Sequence, residues 1–379
     1  MGSIACGEQA LYTRSMTSRE RFKAITRFQQ PDRVPLWDLE GITAETIRRW
    51  CCQGFPTGRN IDEYIGFDGN IFVPINTDPI PAFVQRTVHS DQEWTTYMDE
   101  FGFTVRRLKA QAVSPSIYYY VKGSVDSRDD WEALKKRYDP ADIRRLPLSW
   151  GKDLIEYYNT CGSPVALSMH FGPGRGPKNG YTLGFETFLE TLYSDPTLIH
   201  AMFDFWADFS INLWRPVVRQ LKIDYVVFME DGLAYKNSTL VGPQTYREFW
   251  MPYVRRVIDA LRRCGVSIFA FYTSGNMEPL IPILLETGFN LFGPLEVAAD
   301  MDAIQLRKEY GADVLLYGNI GRQALMDGPE AIDHEVMSKV PWLMERGGYI
   351  PAVDDMILPD ISFASFMHYI DLMRKLDCV

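Results

Sequence analysis

The feature that most constrains this chain is a regular alternation of short apolar segments and amphipathic stretches from residue 165 onward. Such apolar runs predict strands buried on both faces, and the helices between them predict parallel strands covered by helices. Six strands are predicted at residues 165–170, 225–230, 267–272, 290–296, 314–319 and 349–354. Two more, at residues 34–38 and 71–76, complete an α/β fold of the (β/α)8 TIM-barrel type.

Two stretches show the helical pattern most clearly. Residues 17–20 read Thr-Ser-Arg-Glu, a capping box, and Phe22, Ile25 and Phe28 follow at helical spacing. Residues 244–263 carry a long apolar stripe at the same spacing. A stripe of this kind is typical of a helix that packs on a sheet, so we expect it to be part of the core.

Residues 83–121 interrupt this pattern. Residues 83–89, 93–99 and 103–108 alternate with period two and are separated by turn sequences. We therefore predict an antiparallel β insertion, a flap beside the barrel mouth. The domain prediction is one barrel over residues 1–379, with the insertion at about residues 83–121.

Composition excludes several classes of function. The net charge of −10 disfavours nucleic acid and anionic membrane surfaces as partners, because both select basic patches. No apolar run is long enough to span a bilayer, and residues 1–14 lack the apolar core of a signal peptide. None of the six cysteines forms a Cys-x-x-Cys pair, which is typical of reduced thiols. We expect a cytoplasmic protein.

Polar residues follow the end of nearly every predicted strand. In a barrel these ends meet at the mouth, so the side chains are predicted to converge there. The residues are Asp38, Glu40, Asn76, Asp78, His170, Glu230, Asp231, Tyr272, Ser274, Asn276, Glu296, Asn319, Asp354 and Asp355. Each alone is equally typical of a helix cap or a rim ion pair; their recurrence predicts an acidic, aromatic-lined pocket.

The chemistry of such a pocket has two forms. Carboxylates that share a dry pocket raise one another's pKa, which permits general acid catalysis near neutral pH. They also suit a hard divalent cation. The candidate loop cations are Arg175, Lys236 and Arg322, and residues 172–176 (Gly-Pro-Gly-Arg-Gly) predict a flexible active-site loop.

Several segments resemble the uroporphyrinogen decarboxylase superfamily. They are Glu230-Asp231, Lys236-Asn237-Ser238, Ser274-Gly275-Asn276, Pro294-Leu295-Glu296, Tyr317-Gly318-Asn319-Ile320 and residues 347–351. The resemblance covers most of the chain and is weakest over residues 83–160. It implies a (β/α)8 barrel, in agreement with the alternation of strands and helices.

Two branches of that superfamily differ from this chain at their functional motifs. The true decarboxylases carry Arg-Gln-Ala-Gly-Arg after the first strand, where this chain reads Trp-Asp-Leu-Glu-Gly over residues 37–41. The thiol methyltransferases bind zinc through His-x-Cys and a later Cys. The matching positions are Tyr272, Ser274 and the vicinity of Asp354, so the usual zinc-thiolate motif is absent from this sequence.

The resemblance therefore implies a corrinoid-dependent methyltransferase of the O-demethylase type. The methyl group would pass from a small methoxylated aromatic donor to the cobalt of a corrinoid (cobalamin), with a proton from Glu230, Asp354 or Tyr272 to the leaving oxygen. None of the five histidines lies in an Asp-x-His-x-x-Gly corrinoid motif, so a partner protein would carry the corrinoid. The remaining strand-end residues are the predicted substrate contacts: Asp38, Glu40, Asp78, His170, Asp231, Ser274, Asn276, Glu296, Asn319 and Asp355.

Other interpretations stay open at this point. One is a decarboxylase or lyase that acts on a small carboxylated substrate, and another is a non-catalytic binding barrel. His170 is equally typical of a hydrogen-bonded barrel residue, and Asn276 of a cap for the helix that follows it. A homodimer is also left open.

Overall fold

The computed structural model describes residues 15–109, 119–170, 182–230 and 233–376. Its α-helices are α1 (Ser18–Thr26), α2 (Ala44–Cys51), α3 (Ile61–Ile65), α4 (Arg128–Lys135), α5 (Lys152–Thr160), α6 (Phe185–Ser194), α7 (Pro196–Val218), α8 (Pro243–Phe249), α9 (Met251–Arg262), α10 (Ile281–Thr287), α11 (Ala303–Tyr310), α12 (Arg322–Asp327), α13 (Pro329–Arg346) and α14 (Phe363–Lys375). Its strands are β1 (Ile71–Phe72), β2 (Arg86–Ser90), β3 (Trp94–Met98), β4 (Thr104–Leu108), β5 (Tyr119–Lys122), β6 (Val165–Met169), β7 (Tyr225–Met229), β8 (Ala234–Tyr235), β9 (Ser238–Thr239), β10 (Phe269–Tyr272), β11 (Leu291–Gly293), β12 (Leu315–Ile320) and β13 (Tyr349–Val353).

Seven strands form one parallel sheet in the order β1, β6, β7, β10, β11, β12, β13. Within this sheet the strands are arranged in chain order, and every connection between neighbouring strands contains at least one helix. The connection from β1 to β6 also contains β2 to β5, and the connection from β7 to β10 contains β8 and β9. All carboxyl ends therefore lie at one edge of the sheet. This arrangement confirms the predicted α/β class and the parallel strands; closure into an eight-stranded barrel stays a prediction.

The two faces of this sheet carry separate hydrophobic clusters. The strand members of the inner cluster are Ala166, Tyr225, Val227, Ala270, Tyr272, Leu291, Leu315, Tyr317, Ile350 and Ala352. Because strands from β6 to β13 contribute to one inner cluster, the sheet is curled with this face concave. Alternate residues, such as Leu167 and Phe271, pack with the helices in a larger outer cluster.

The predicted first strand, residues 34–38, does not join the sheet ladder in the structure. Pro35 has no N–H to donate, and the backbone of Leu36 pairs with Asp68 instead. The Leu36 N–H donates to Asp68 Oδ2 at 3.0 Å, and the Leu36 carbonyl accepts from the Asp68 N–H at 2.6 Å. Trp37 nevertheless packs in the inner cluster, so the segment covers the concave face without being a strand.

Asp68 also holds α1 in place. It is 2% exposed and accepts hydrogen bonds from Arg21 and from the Ser18 hydroxyl, the latter at 3.0 Å. Arg33 lies 2.9 Å from its second oxygen. One buried carboxylate thus joins α1, the extended segment at residues 34–37 and the chain that leads into β1.

The insertion forms a separate antiparallel sheet in the order β2, β3, β4, β5. Its first three strands lie where the period-two segments predicted them, and β5 was not predicted as a separate strand. One face buries Val105 and Tyr120 beside Phe101 and Phe103. None of the helices in the described ranges combines the length and apolar character needed to cross a bilayer.

The helix predicted over residues 244–263 is divided in the structure. It forms α8 and α9, with a break at Trp250. Pro252 lies in the first turn of α9, where the missing N–H of proline costs no helical hydrogen bond. The apolar stripe is still buried, because Tyr246 and Trp250 belong to the outer core.

We predict that Asp68→Asn destabilises the protein by about 1.5–3 kcal/mol, since Arg21 and the Leu36 N–H lose a charged acceptor and Asp32 remains as the other carboxylate partner of Arg21. Urea unfolding followed by circular dichroism measures this change. Asp360→Asn, which removes an exposed carboxylate, is the matched control and should change stability by less than about 0.5 kcal/mol. Equal stability of the two variants would contradict the structural role assigned to Asp68.

Candidate functional site

The predicted site residues within the described ranges lie at the carboxyl edge of the parallel sheet, as the (β/α) pattern requires. They separate into distinct groups when their contacts are compared. One group lies beyond β11–β13, a second surrounds Tyr317, and Glu230 and His170 lie apart from both. The groups differ in whether their polar atoms are already bound by the protein.

The concave face beneath this edge is aromatic. Trp37, Tyr225, Tyr272 and Tyr317 line an internal cavity of about 20 Å³. A cavity of this size accommodates about one water molecule. An aromatic ligand therefore cannot enter the inner face in this structure and would have to lie above Tyr272 and Tyr317, at the strand ends.

Asp354 is the carboxylate that the structure places most centrally in the first group. It is 4% exposed, and both of its oxygens accept backbone hydrogen bonds, from Val297 N at 2.7 Å and Arg322 N at 2.9 Å. Burial, together with the nearby charges of Glu296 and Asp355, raises the pKa of Asp354 to about 6. Each oxygen keeps a second lone pair, so the carboxyl group can both hold these loops and carry a proton.

Glu296 and Asp355 complete the first group. Glu296 Oε2 accepts a hydrogen bond from Gly275 N at 2.7 Å, which ties the loop after β10 to the end of β11. Asp355 is half-exposed and lies 3.7 Å from Nε of Arg322. With Asp354, these contacts join the loops after four consecutive strands through side-chain carboxylates.

Nη1 of Arg322 is buried and has no hydrogen-bond acceptor among the residues that the structure describes. An unbound guanidinium donor is costly at a buried position. Arg322 lies at the start of α12, directly after β12, so this donor is available at the edge where the carboxylates converge. Among the described residues, the Arg322 guanidinium is the group best suited to bind an anionic substituent of a ligand.

Asn319 is wholly committed to the backbone. It is fully buried, with a positive φ of 65°, and its amide donates to the carbonyls of Leu295 and Met301 at 2.9 and 2.8 Å. Its Oδ1 accepts from Ala303 N at 3.1 Å. Asn319 thereby positions the loop after β11, and its predicted contact with substrate stays untested.

Asn276 and Ser274 follow β10 and differ in exposure. Asn276 donates to the Ala299 carbonyl at 3.0 Å and accepts from Glu278 N at 3.0 Å, so it caps the turn that follows, one of the two roles predicted for it. Ser274 is exposed at the same edge and remains available to a ligand.

The second group surrounds Tyr317. Its hydroxyl accepts a hydrogen bond from Leu39 N at 2.9 Å, which brings Asp38 and Glu40 to the carboxyl end of β12. Burial raises the pKa of Asp38, although its Oδ1 accepts a hydrogen bond from Gly41 N at 2.9 Å. Burial and the charges of Asp38 and Glu40 together hold the pKa of Tyr317 well above its ordinary value.

Glu230 is 3% exposed and follows β7 directly. Alternate residues of that strand face inward, namely Tyr225, Val227 and Met229, and Glu230 continues the opposite parity. Its charge contributes to the raised pKa of Tyr246 in α8. The structure therefore places Glu230 toward the helical layer, whereas Asp354 lies among the carboxylates of the first group.

His170 and Asp78 lie on the β1–β6 side of the edge. His170 Nδ1 is 3.2 Å from the Met229 carbonyl, which favours the tautomer with the proton on Nδ1. The buried Arg145 donates to the carbonyls of Asn76 and Asp78, at 3.1 and 3.0 Å, and so holds the segment after β1.

The remaining predictions fall outside the described residues. They concern Asp231, Arg175 and the glycine-rich loop at residues 172–176. Within the ranges that are described, no three His, Cys, Asp or Glu side chains converge closely enough to hold a metal ion. Lys236 is exposed on the β8–β9 turn.

Several residues that build this edge were missed by the strand-end pattern. Tyr317 is two residues before Asn319 and therefore shares the inner face, which the period-two rule could have indicated. Glu335 in α13 accepts from Gly321 N at 2.8 Å, and Arg145 supports the segment after β1 from a distant part of the chain. Nothing in the local sequence signals these two long-range contacts.

We predict that Asn319→Ala lowers the free energy of unfolding by about 3 kcal/mol or more, because it leaves buried backbone groups unbound and replaces Asn at a positive φ. Chemical denaturation measures the loss. The exposed Asn237→Ala is the matched control, with an expected change below about 0.5 kcal/mol. A stable Asn319→Ala protein would show that the side chain is free for another role.

Comparisons with known proteins agree with this geometry. The model of the family described as uroporphyrinogen decarboxylase (URO-D) matches residues 159–376, more than half of the chain. A uroporphyrinogen decarboxylase of Photorhabdus laumondii is 26% identical over 272 residues, covering 67% of this chain and 70% of the relative. One from Shewanella loihica is 25% identical over 193 residues, covering half of each chain.

A solved structure shares the fold. A methyltransferase from Methanosarcina mazei superposes with a TM-score of 0.59 and 13% sequence identity, covering 94% of this chain and 98% of that one. At this identity the similarity concerns the fold alone. The region that the family model matches contains six of the seven parallel strands, namely β6, β7 and β10 to β13.

Proposed function

We propose, from the premise that this chain belongs to the uroporphyrinogen decarboxylase family, that it is a corrinoid-dependent methyltransferase. The proposed donor is a small methoxylated aromatic compound, and the proposed acceptor is the cobalt of a corrinoid carried by a partner protein. The observation that carries the proposal is a buried carboxyl group, Asp354, with a pKa near neutrality at the edge of an aromatic inner face.

The aromatic residues suit a flat donor. Tyr272 ends β10 and Tyr317 lies within β12; both face inward, and Trp37 packs in the same cluster. Aromatic rings stack on such surfaces with a gain of about 0.5–1.5 kcal/mol beyond area burial. A methoxylated ring that lies on these residues would present its ether oxygen toward the carboxylates at the strand ends.

Transfer of the methyl group requires a proton. When bound, the reduced corrinoid of the partner protein would supply the nucleophile that accepts the methyl group; the carbon–oxygen bond of the ether would break, and its electron pair would stay on the oxygen. That oxygen takes a proton and leaves as a phenol. Asp354 is our proposed donor, because a carboxyl group with a pKa of about 6 is still partly protonated at pH 7.

Tyr272 is the second proposed donor. It lies on the inner face at the end of β10, in the strand next to β7. The sequence also predicted Glu230 as a proton donor. Glu230 is the weaker candidate, because its side chain is oriented toward α8. Substitution of each residue separately distinguishes the three.

A porphyrinogen substrate is disfavoured by charge. Residues 37–41 carry Asp38 and Glu40 where the decarboxylase branch has arginines, and the Tyr317–Leu39 hydrogen bond brings both acids to the strand ends. Two like charges about 4 Å apart repel by about 4 kcal/mol at an effective dielectric constant of 20. A substrate with many carboxylates would meet this repulsion directly.

A direct assay tests the proposal. The protein is mixed with reduced cobalamin, or with a reduced corrinoid protein, and a panel of methoxylated aromatic compounds. We expect methylcobalamin to form, with the matching phenol released in equal amount. Absence of methyl transfer from every donor would overturn the proposal.

A second candidate function is decarboxylation of a small carboxylated substrate. Two observations favour it: the unbound Nη1 donor of Arg322, which suits a carboxylate, and the relatives named uroporphyrinogen decarboxylase. Release of carbon dioxide without added corrinoid would support it. A non-catalytic binding barrel would show neither product, and its ligand affinity would be unaffected by Asp354→Asn.

We predict that Asp354→Asn lowers the rate of methyl transfer by about 100- to 10,000-fold, the usual contribution of general acid catalysis. In the unmodified protein the rate should fall as the pH rises through about 6, since the acid form of Asp354 is lost there. The variant should lose this pH dependence. Rates measured from pH 5 to 8 at saturating donor give both results.

Two comparisons separate proton donation from loop positioning. Asp360→Asn removes an exposed carboxylate further along the same connection and should leave rate and pH profile unchanged. If Asp354 only positions the loops at Val297 and Arg322, Asp354→Asn will reduce the rate but keep the original pH profile. That outcome would rule out Asp354 as the acid and leave Glu230 and Tyr272 as the candidates.

A further inference from the structure

A cavity lies at the opposite end of the sheet from the candidate site. It has a volume of about 570 Å³, and its lining includes Asp224 and Ile268, which directly precede β7 and β10. Because strands begin at this end, we call it the basal cavity. None of the predicted site residues is part of its described lining.

The basal cavity is cationic in a chain whose net charge is −10. Its lining contains Lys23, Arg27, Arg219 and Lys222, and the carboxylate in its described lining is Asp224. That carboxylate is already bound, by Arg19 at 2.8 Å and by Lys23 at 3.3 Å. Positive charge therefore exceeds negative charge in the cavity.

Three of these cations lack an acceptor. The exposed side chains of Arg27, Arg219 and Lys222 form no ion pair or hydrogen bond with any described residue. Elsewhere in the protein, the exposed Arg128 and Arg247 each pair with a carboxylate at 2.6 Å. Arg27, Arg219 and Lys222 thus lack a carboxylate partner among the described residues.

Helix ends do not account for all of this charge. Arg27 follows α1 and Arg219 follows α7, where a cation is favoured by about half a negative charge at each helix C-terminus. A full positive charge at each end exceeds that half charge. Lys222 lies beyond the end of α7, in the turn before β7, and adds to the excess.

The backbone around the cavity is held in place. Asn159 donates to the Gln220 carbonyl at 2.9 Å and accepts from Lys222 N at 2.7 Å. Arg19 donates to the Lys222 carbonyl at 2.6 Å. A preorganised frame lowers the ordering cost of binding, so the exposed cationic side chains are the parts left to adapt.

We propose that the basal cavity binds a compact polyanion of the polyphosphate class. Its volume lies within the range of small-molecule sites, about 300–1,000 Å³. Arginine forks and lysine ammonium groups match phosphate oxygens, and several charge-assisted hydrogen bonds can form at once. The shared chemistry is a run of linked phosphates, whether inorganic or part of a nucleoside triphosphate.

Calorimetric titration with sodium tripolyphosphate tests the proposal at low ionic strength. We expect saturable binding to the whole protein and a dissociation constant that rises about tenfold or more in the triple variant Arg27→Gln, Arg219→Gln, Lys222→Gln, since each replaced cation removes a charge-assisted contact. Single variants should give intermediate losses. All three residues are exposed, so folding is expected to be unaffected.

The matched control removes the same charge elsewhere. The triple variant Arg48→Gln, Arg59→Gln, Lys375→Gln replaces three exposed cations that do not line the cavity and reaches the same net charge. It should bind tripolyphosphate as the unmodified protein does. Equal weakening in both triple variants, or no saturable binding to the unmodified protein, would overturn the proposal.

A second titration, with magnesium-free ATP, distinguishes the source of the polyphosphate. Equal affinity for ATP and tripolyphosphate would show that the phosphates alone are recognised. Tighter binding of ATP would add contacts to the nucleoside and support the nucleotide form of the proposal. In either case the cavity triple variant must bind more weakly than the control.

Discussion

The structure depends on the buried carboxylate of Asp68. Without it the segment at residues 34–37 would have no regular backbone partner, because it is outside the sheet ladder and contains Pro35. Asp68 binds the backbone of Leu36 and at the same time the guanidinium of Arg21, so it fixes the cover of the concave face relative to α1. The position of Trp37, and of Asp38 and Glu40 beyond it, follows from that connection. A buried charge of this kind is tolerated because every part of it is hydrogen-bonded.

The same principle operates at the other edge of the sheet. Glu296 and Asp354 bind backbone N–H groups of the loops after β10, β11 and β12, and Asn319 binds three further backbone groups. Much of the acidity predicted for the mouth therefore positions loops. This does not remove it from chemistry, because burial without a counter-charge is also what raises the pKa of Asp354 to about 6. Positioning and proton donation here are two consequences of one environment.

The sequence predicted the buried parallel strands well and the elements that depend on long-range contacts less well. The apolar runs at residues 165–170, 225–230 and 349–354 are strands in the structure to within a residue, since a strand buried on both faces has little other choice. The segment at residues 34–38 is also largely apolar yet is not a strand. Its backbone partner, Asp68, is 32 residues from Leu36, and no local pattern indicates such a contact. The division of α8 from α9 was also missed, although Pro252 was visible in the sequence.

The sequence by itself determined the fold class, the edge at which polar residues converge and the acidic, aromatic character of that edge, because each follows from periodicity and from the direction of parallel strands. Only the tertiary structure decided which of those polar atoms are bound by the backbone. It also decided that Glu230 lies toward α8 while Asp354 lies among carboxylates. Finally, it brought cations from distant segments together in the basal cavity. The physical reason is that hydrogen-bond satisfaction and burial depend on long-range contacts. A strand end is a local property, whereas the charge state and availability of a side chain belong to its surroundings.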